Sequence, residues 1–240
     1  MIDASPATLV AAWERAAELP PAERGRALLG LDPSGGEVDC WTLGGRDAAL
    51  ARIFADLYGE FVEATLSCCA CGALLEFQTT IAALFGTAVA DPEPAAFALH
   101  TGAYELLLRP IRLADVVGLP PSAERARDRI LRRCVLEARR AGRAADVGSF
   151  STDVCAAISE ALCGADPSSE ILVTLACAGC GVENRIPFDI GTFLWEAIER
   201  SAAQLLLDVH VLAGAYGWSE RDILALAPQR RRRYLELIAG

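Results

Sequence analysis

The sequence predicts a mostly α, multi-helix protein with one small β element. Apolar residues recur at helical spacing along most of the 240-residue chain. Two segments, Thr65 to Phe77 and Ile171 to Ile186, instead have the pattern of paired short strands around a tight turn, and each turn reads C-x-x-C-G. With 53% hydrophobic residues, the chain can bury one sizeable core or two small ones.

The helices are placed by caps and apolar spacing. Ser5 is a predicted N-cap with Pro6 at the first helical position, and Pro20-Pro21 ends this helix and begins a second, short one. Turn-rich residues follow at Asp32 to Gly36, and Asp91 to Pro94 is predicted to be a loop. Further helices are predicted over 46–58, 79–85, 113–119, 122–140, 149–162, 192–216, 219–227 and 228–238, and a strand over 104–108.

These elements suggest five consecutive regions. They are an N-terminal helical region (1–63), a first cysteine knuckle with a helix (64–90), a helical insertion (91–170), a second knuckle (171–191) and a C-terminal helical region (192–240).

Composition excludes several functions. The net charge is −10 and the pI is near 4.8, which argues against coating nucleic acid or docking on an anionic membrane. All 22 basic residues are Arg, so a Walker A lysine and a Schiff-base lysine are both excluded. His100 and His210 are too far apart in sequence for an H-E-x-x-H helix, although they could still meet in the folded chain. The absence of a basic, apolar leader or a long uncharged run predicts a cytoplasmic protein.

The two cysteine turns form an internal repeat. Residues 64–72 align with residues 173–181 without a gap, and Thr, Leu, Cys, Cys and Gly coincide. Two residues between the cysteines let both thiolates face one ion, and the Gly permits the positive φ that turns the chain back. The pattern therefore predicts one structural Zn²⁺ per chain, bound by Cys68, Cys71, Cys177 and Cys180 with no position open to substrate.

Other interpretations of the cysteines remain. One C-x-x-C pair could be redox-active, although neither copy has the βαβ setting that a thioredoxin-like site requires. The cysteines could also be buried without a ligand, and Cys69 could replace Cys68 as a ligand. The isolated Cys40, Cys134, Cys155 and Cys163 are predicted to be small core residues.

The run Arg230 to Arg233 is the strongest charge feature. It could contact an acidic protein surface or a phosphate backbone, or it could be a solvated helix face. The apolar residues around it, from Trp218 to Ile238, predict a compact three-helix end piece.

Motifs spread over nearly the whole chain resemble a known family. They are Trp13 to Arg15, Arg26 to Leu29, Gly45 to Ala48, Leu57 to Gly59, the first C-x-x-C-G with Leu75 to Phe77, Leu108 to Pro110 with Asp115, Arg133 to Val135, Cys177 to Gly181, Pro187 to Asp189, Phe193 to Trp195, Val209-His210, Ala215 to Trp218, Asp222 to Leu226 and Tyr234 to Leu237. Together they resemble the T4-type baseplate hub assembly chaperone family of contractile phage tails and related injection systems. The chain departs from that pattern at Cys69, where the family has Pro.

The resemblance implies a non-enzymatic, zinc-stabilised assembly factor or structural component of a baseplate. Its partners would be baseplate or tail proteins, with no membrane, no nucleic acid and no small-molecule substrate. The alternative is a zinc-ribbon nucleic-acid-binding regulator that uses the C-terminal helices and Arg230 to Arg233. The acidic charge and the lack of another basic cluster near the knuckles argue against that alternative.

Overall fold

The computed structural model describes residues 5–32, 38–86 and 95–239. The described residues are 57% helical, with ten α-helices and small antiparallel sheets, which confirms the mostly α prediction. The predicted turn residues 33–36 and the predicted loop 91–94 lie outside the described residues. The helices are α1 (Pro6–Ala17), α2 (Pro21–Leu28), α3 (Leu43–Tyr58), α4 (Ile81–Phe85), α5 (Leu113–Val116), α6 (Ala123–Cys134), α7 (Thr152–Ala165), α8 (Ile190–Tyr216), α9 (Glu220–Leu224) and α10 (Pro228–Ala239).

Eight strands form three antiparallel sheets within the described residues. Strands β1 (Phe61–Ser67) and β2 (Leu74–Thr80) pair as one two-stranded sheet, and β7 (Ile171–Ala176) and β8 (Glu183–Phe188) pair as another. The third sheet has the order β3-β4-β5-β6, formed by β3 (Phe97–Thr101), β4 (Tyr104–Leu108), β5 (Val135–Arg140) and β6 (Arg143–Ala144).

The chain divides into two compact units. The first contains Met1–Gly36, Leu50–Phe61 and Asp189–Gly240, and the second contains Glu37–Ala49 and Val62–Phe188. Both units are therefore discontinuous in sequence, and the N-terminal and C-terminal helices belong to the same unit.

The first unit is helical and is organised along α8. This helix begins at the N-cap Asp189, whose carboxylate accepts the N–H groups of Gly191 and Thr192, and ends at Gly217 with φ +70°. Helices α1, α2, α9 and α10 pack against it. The predicted cap at Ser5 is confirmed, because its side chain accepts the N–H of Thr8. Fully buried side chains come from α3 and α8, with Leu50, Ile53, Leu194, Ile198 and Leu212 each at 0% exposure.

The second unit holds all three sheets together with α4 to α7. Its main core lies between the four-stranded sheet and helices α6 and α7, and includes Leu106, Leu108, Leu131, Cys134 and Ile158. On β4 the buried side chains of Tyr104, Leu106 and Leu108 alternate with exposed Glu105 and half-buried Leu107, as expected for a sheet that packs on one side.

The predicted helix over 122–140 is wrong in its last six residues, because α6 ends at Cys134 and the chain continues as β5. The insertion 91–170 therefore contains a four-stranded sheet that sequence analysis did not predict, apart from β4. The sequence of the turn after β5 is one reason why this sheet was not predicted. Ala141 has φ +48° and Gly142 has φ +77°, values that fit a two-residue hairpin turn, but Ala is an uncommon residue at such a position.

A buried ion pair joins the end of β4 to α5. Arg109 donates from Nη1 to Asp115 Oδ2 at 2.6 Å and from Nη2 to Oδ1 at 2.9 Å, and Asp115 also accepts the backbone N–H of Arg112 at 2.9 Å. Arg133 of α6 donates to the carbonyls of Ala114 and Asp115 at 3.1 and 2.9 Å. Two motifs of the family resemblance, Leu108 to Pro110 with Asp115 and Arg133 to Val135, thus meet in one network that connects α5 and α6.

Candidate metal centre

The two C-x-x-C-G turns bring four cysteine sulfurs together. Cys68 Sγ lies 3.7 Å from Cys180 Sγ, and Cys71 Sγ lies 3.6 Å from Cys177 Sγ. All four sulfurs lie within 4.8 Å of one another. The contacts connect the first cysteine of each turn to the second cysteine of the other turn, so the site requires both hairpins.

The separations fit one tetrahedral ion. With metal–sulfur bonds of about 2.3 Å, a tetrahedron places its sulfurs about 3.8 Å apart. The two cross-turn pairs match this value, whereas the overall limit of 4.8 Å is wider than the limit of about 4 Å that the sequence prediction implies. The four cysteines could therefore hold a metal ion after a small contraction.

Both turns have the same backbone hydrogen bonds. In the first, Cys68 N–H donates to Ala73 O at 2.8 Å and Gly72 N–H donates to Cys68 O at 2.9 Å. In the second, Cys177 N–H donates to Val182 O at 2.9 Å and Gly181 N–H donates to Cys177 O at 2.8 Å. Gly72 has φ +73° and Gly181 φ +74°, which confirms the predicted role of the glycine.

Burial differs between the two cysteines of each turn. Cys68 and Cys177 are 3% and 2% exposed and pack with Leu75 in a small apolar cluster. Cys71 and Cys180 are exposed. An ion would therefore be anchored on one side by the hairpin interior and reach solvent on the other, which provides an entry path.

The pKa values of Cys68 and Cys180 are shifted in opposite directions. The backbone N–H groups of Cys71 and Ala70 lower the pKa of Cys68 to about 6. At Cys180 the N–H of Val182 favours the thiolate, but the neighbouring sulfurs, led by Cys71, and burial outweigh it and raise the pKa to about 12. The neighbouring sulfurs thus disfavour the thiolate of Cys180, and a bound dication would stabilise it.

Asn184 on β8 supports the first cysteine and was missed by sequence analysis. Its side chain is 3% exposed, its Nδ2 lies 3.7 Å from Cys68 Sγ, and its Oδ1 accepts the N–H of Cys69 at 2.9 Å. It also donates to the carbonyl of Val182 at 3.0 Å. Asn184 therefore connects the two cysteine turns.

The repeat alignment contains a signal that could have identified Asn184 as part of the site. In the gap-free repeat alignment Asn184 occupies the position of Leu75, and both side chains are buried at the second residue of their strand. A buried polar side chain is retained where it makes hydrogen bonds. An Asn at the place where the other repeat has Leu therefore marks a specific polar contact.

We expect Asn184→Leu, which copies the other repeat, to weaken metal binding by roughly 10- to 100-fold, as is typical when an outer-shell partner of a ligand is lost. Competition with a chromophoric chelator measures this affinity, and the thiolate-to-metal charge-transfer bands of the Co²⁺ form should shift. Glu183→Gln, an exposed neighbour on the same strand, is the matched control. Equal metal affinities for the two variants would show that Asn184 does not support metal binding.

Four further cysteines and both histidines lie away from the cysteine cluster. Cys134 is fully buried, as predicted for a core residue, and burial with the charge of Asp115 raises its pKa to about 11. Cys40 and Cys155 are partly buried, whereas Cys163 is exposed, so the core prediction is wrong for Cys163. His100 lies on β3 and not in a loop, and His210 lies on α8 as predicted.

Comparison of the chain with protein-family models, curated proteins and solved structures gave no match. Among the described residues, every helix is too short or too polar to cross a membrane.

Proposed function

We propose that Cys68, Cys71, Cys177 and Cys180 bind one structural Zn²⁺ in a ribbon-like element made of the two hairpins. The observation that carries the proposal is the convergence of all four sulfurs within 4.8 Å. Tetrahedral sites with four sulfurs select zinc or iron–sulfur chemistry. An iron–sulfur cluster would separate cysteine sulfurs bound to different iron atoms by more than the 4.8 Å that contains all four sulfurs here, which favours a single ion.

The proposed ion has a structural role because four thiolates leave no coordination position for substrate or water. A two-stranded hairpin is marginally stable by itself in water. Each knuckle belongs to such a hairpin, and the two are more than a hundred residues apart in sequence. Metal binding would therefore contribute directly to folding of the second unit.

We further propose that the chain acts without catalysis, as an assembly factor or structural component of the baseplate of a contractile tail or injection system. The resemblance of the sequence motifs to the baseplate hub assembly chaperone family supports this role. Exposed Arg230 and Arg232 supply guanidinium groups that suit carboxylates of a protein partner.

Two of the four arginines in the run Arg230 to Arg233 are already paired with acidic residues of the same chain. Arg231 is only 8% exposed and is bonded to Asp208, and Arg233 pairs with Glu236. The run is therefore not a uniform basic surface. Replacing all four arginines would disturb the interior, so a partner test should use Arg230 and Arg232 alone.

Deletion of the gene is expected to abolish complete contractile particles and to leave tubes or sheaths without baseplates. Electron microscopy of the deletion strain, with the wild-type gene supplied in trans as control, measures this. The double variant Arg230→Ser/Arg232→Ser should restore fewer complete particles while retaining its metal. Normal particles from the deletion strain, together with tight binding of purified protein to duplex DNA, would instead support a nucleic-acid-binding regulator.

A further inference from the structure

The helical unit contains a cleft of about 570 Å³ that is separate from the cysteine cluster. Part of its wall is apolar and comes from helices α1, α8 and α10, through Pro6, Leu9, Ala197, Leu205 and Pro228. Clefts of this size with apolar walls and a few polar groups are typical of ligand sites. The polar groups in this cleft decide what it could bind.

A buried ion pair lies at the cleft wall. Arg231 Nε donates to Asp208 Oδ2 at 2.9 Å, and Gln204 Nε2 donates to Asp208 Oδ1 at 2.9 Å. The Arg231 residue is 8% exposed, and its Nη1 is buried without a hydrogen-bond partner among the described residues. Asp208 therefore satisfies only part of the Arg231 guanidinium, and this cation forms part of the cleft wall.

A second cation lies at the exposed part of the cleft. Arg200 is exposed and lines the cleft, beside the hydroxyls of Tyr58 and Ser201, which lie 3.0 Å apart. Burial raises the pKa of Tyr58. The Ser201 hydroxyl and the positive charge of Arg200 oppose this rise, so the Arg200 guanidinium lies close to the Tyr58 phenol. With Arg200, Arg231 and Asp208 ionised, the cleft has a net charge of +1 and matches a monoanion.

We propose that this cleft binds a carboxylate attached to an apolar group, either a small organic acid or the C-terminus of a polypeptide that ends in an apolar residue. Guanidinium groups bind carboxylates through charge-assisted hydrogen bonds. The carboxylate is attracted by the charges of Arg231 and Arg200, which both line the cleft, and the apolar group contacts Leu9 and Leu205. The Asp208 carboxylate disfavours a dianion such as phosphate.

The test is a calorimetric or NMR titration of the full chain with N-acetyl-leucine and with its amide, which lacks the charge. We expect saturable binding of the acid and at least tenfold weaker binding of the amide. Inorganic phosphate is titrated in the same way, as the dianion for comparison. Failure of the acid to bind, equal affinity for the amide, or tighter binding of phosphate would each overturn the proposal.

Variants locate the site. Arg200→Gln should weaken binding of the acid at least fivefold, and Leu9→Trp should block the cleft, whereas Arg15→Gln on the exposed part of α1 should leave binding unchanged. Unchanged binding in both cleft variants would place the acid elsewhere and contradict the proposal. An acetylated pentapeptide ending in Leu distinguishes the source: affinity tenfold above that of N-acetyl-leucine assigns a polypeptide C-terminus, and equal affinity assigns a small acid.

Discussion

The double variant Cys177→Ser/Cys180→Ser is expected to lose its metal and to be insoluble or to melt far below the wild type. It removes two of four ligands and leaves Cys68 and Cys71 without their cross-turn sulfur partners. Structural zinc contributes on the order of 10 kcal/mol in small zinc domains. Loss of even part of this free energy would remove a large share of the unfolding free energy of a typical domain, which is roughly 5–15 kcal/mol. Thermal denaturation followed by circular dichroism measures the effect.

Cys69→Ser is the matched control for this variant. Cys69 lies beside a ligand but is exposed and outside the cluster of four sulfurs, and its contact with Asn184 uses only the backbone N–H. We therefore expect full metal content and a melting temperature close to that of the wild type. A double variant that melts like Cys69→Ser would refute a structural role for the ion, and loss of metal in Cys69→Ser would make Cys69 a ligand.

Asp115→Ala is expected to destabilise the second unit by roughly 3 kcal/mol or more, because removing one member of a buried ion pair leaves the other charge uncompensated. Asp115 is 4% exposed and accepts three hydrogen bonds, two from Arg109 and one from the backbone of Arg112. Urea denaturation of purified protein measures the change. Glu137→Ala is the control, since Glu137 pairs with Arg139 at 3.9 Å on the exposed surface, where such pairs contribute about 0–1 kcal/mol.

The same carboxylate predicts a pH dependence. Burial opposes ionisation of Asp115, but hydrogen bonds from Arg109 and Arg112 and the charges of Arg109 and Arg133 lower its pKa below the usual value. Its contribution is fully present above the unfolded-state value of about 3.9 and is lost as the pH falls through the folded-state pKa. The wild type and Asp115→Ala should therefore differ most above pH ~5 and converge in acid. A constant difference down to pH ~2 would contradict this assignment.

The four metal ligands were predictable because their signal is local. The C-x-x-C spacing, the following Gly and the gap-free repeat 109 positions later are all present in the sequence, and the structure places all four sulfurs together. Helix starts at Ser5 and Ser219 were predictable for the same reason, since each depends on a capping side chain within three residues.

What could not be predicted depends on contacts distant in sequence. Residues 135–140 carry charged residues that suit a helix, yet they pair with β4, with Leu106 opposite Ala138 and Tyr104 opposite Arg140. Arg231 belongs to a run of four arginines, and only the position of Asp208 explains why it is buried. Asn184 was visible as a departure within the repeat, but its contact with Cys68 required the folded arrangement.

Metal analysis combined with X-ray absorption on the purified full-length protein tests the central claim most directly. We predict one zinc per chain with four sulfur ligands at about 2.3 Å and no nitrogen or oxygen ligand. A metal-free protein that is nonetheless folded, or an iron-containing protein with an iron–sulfur spectrum, would contradict the account.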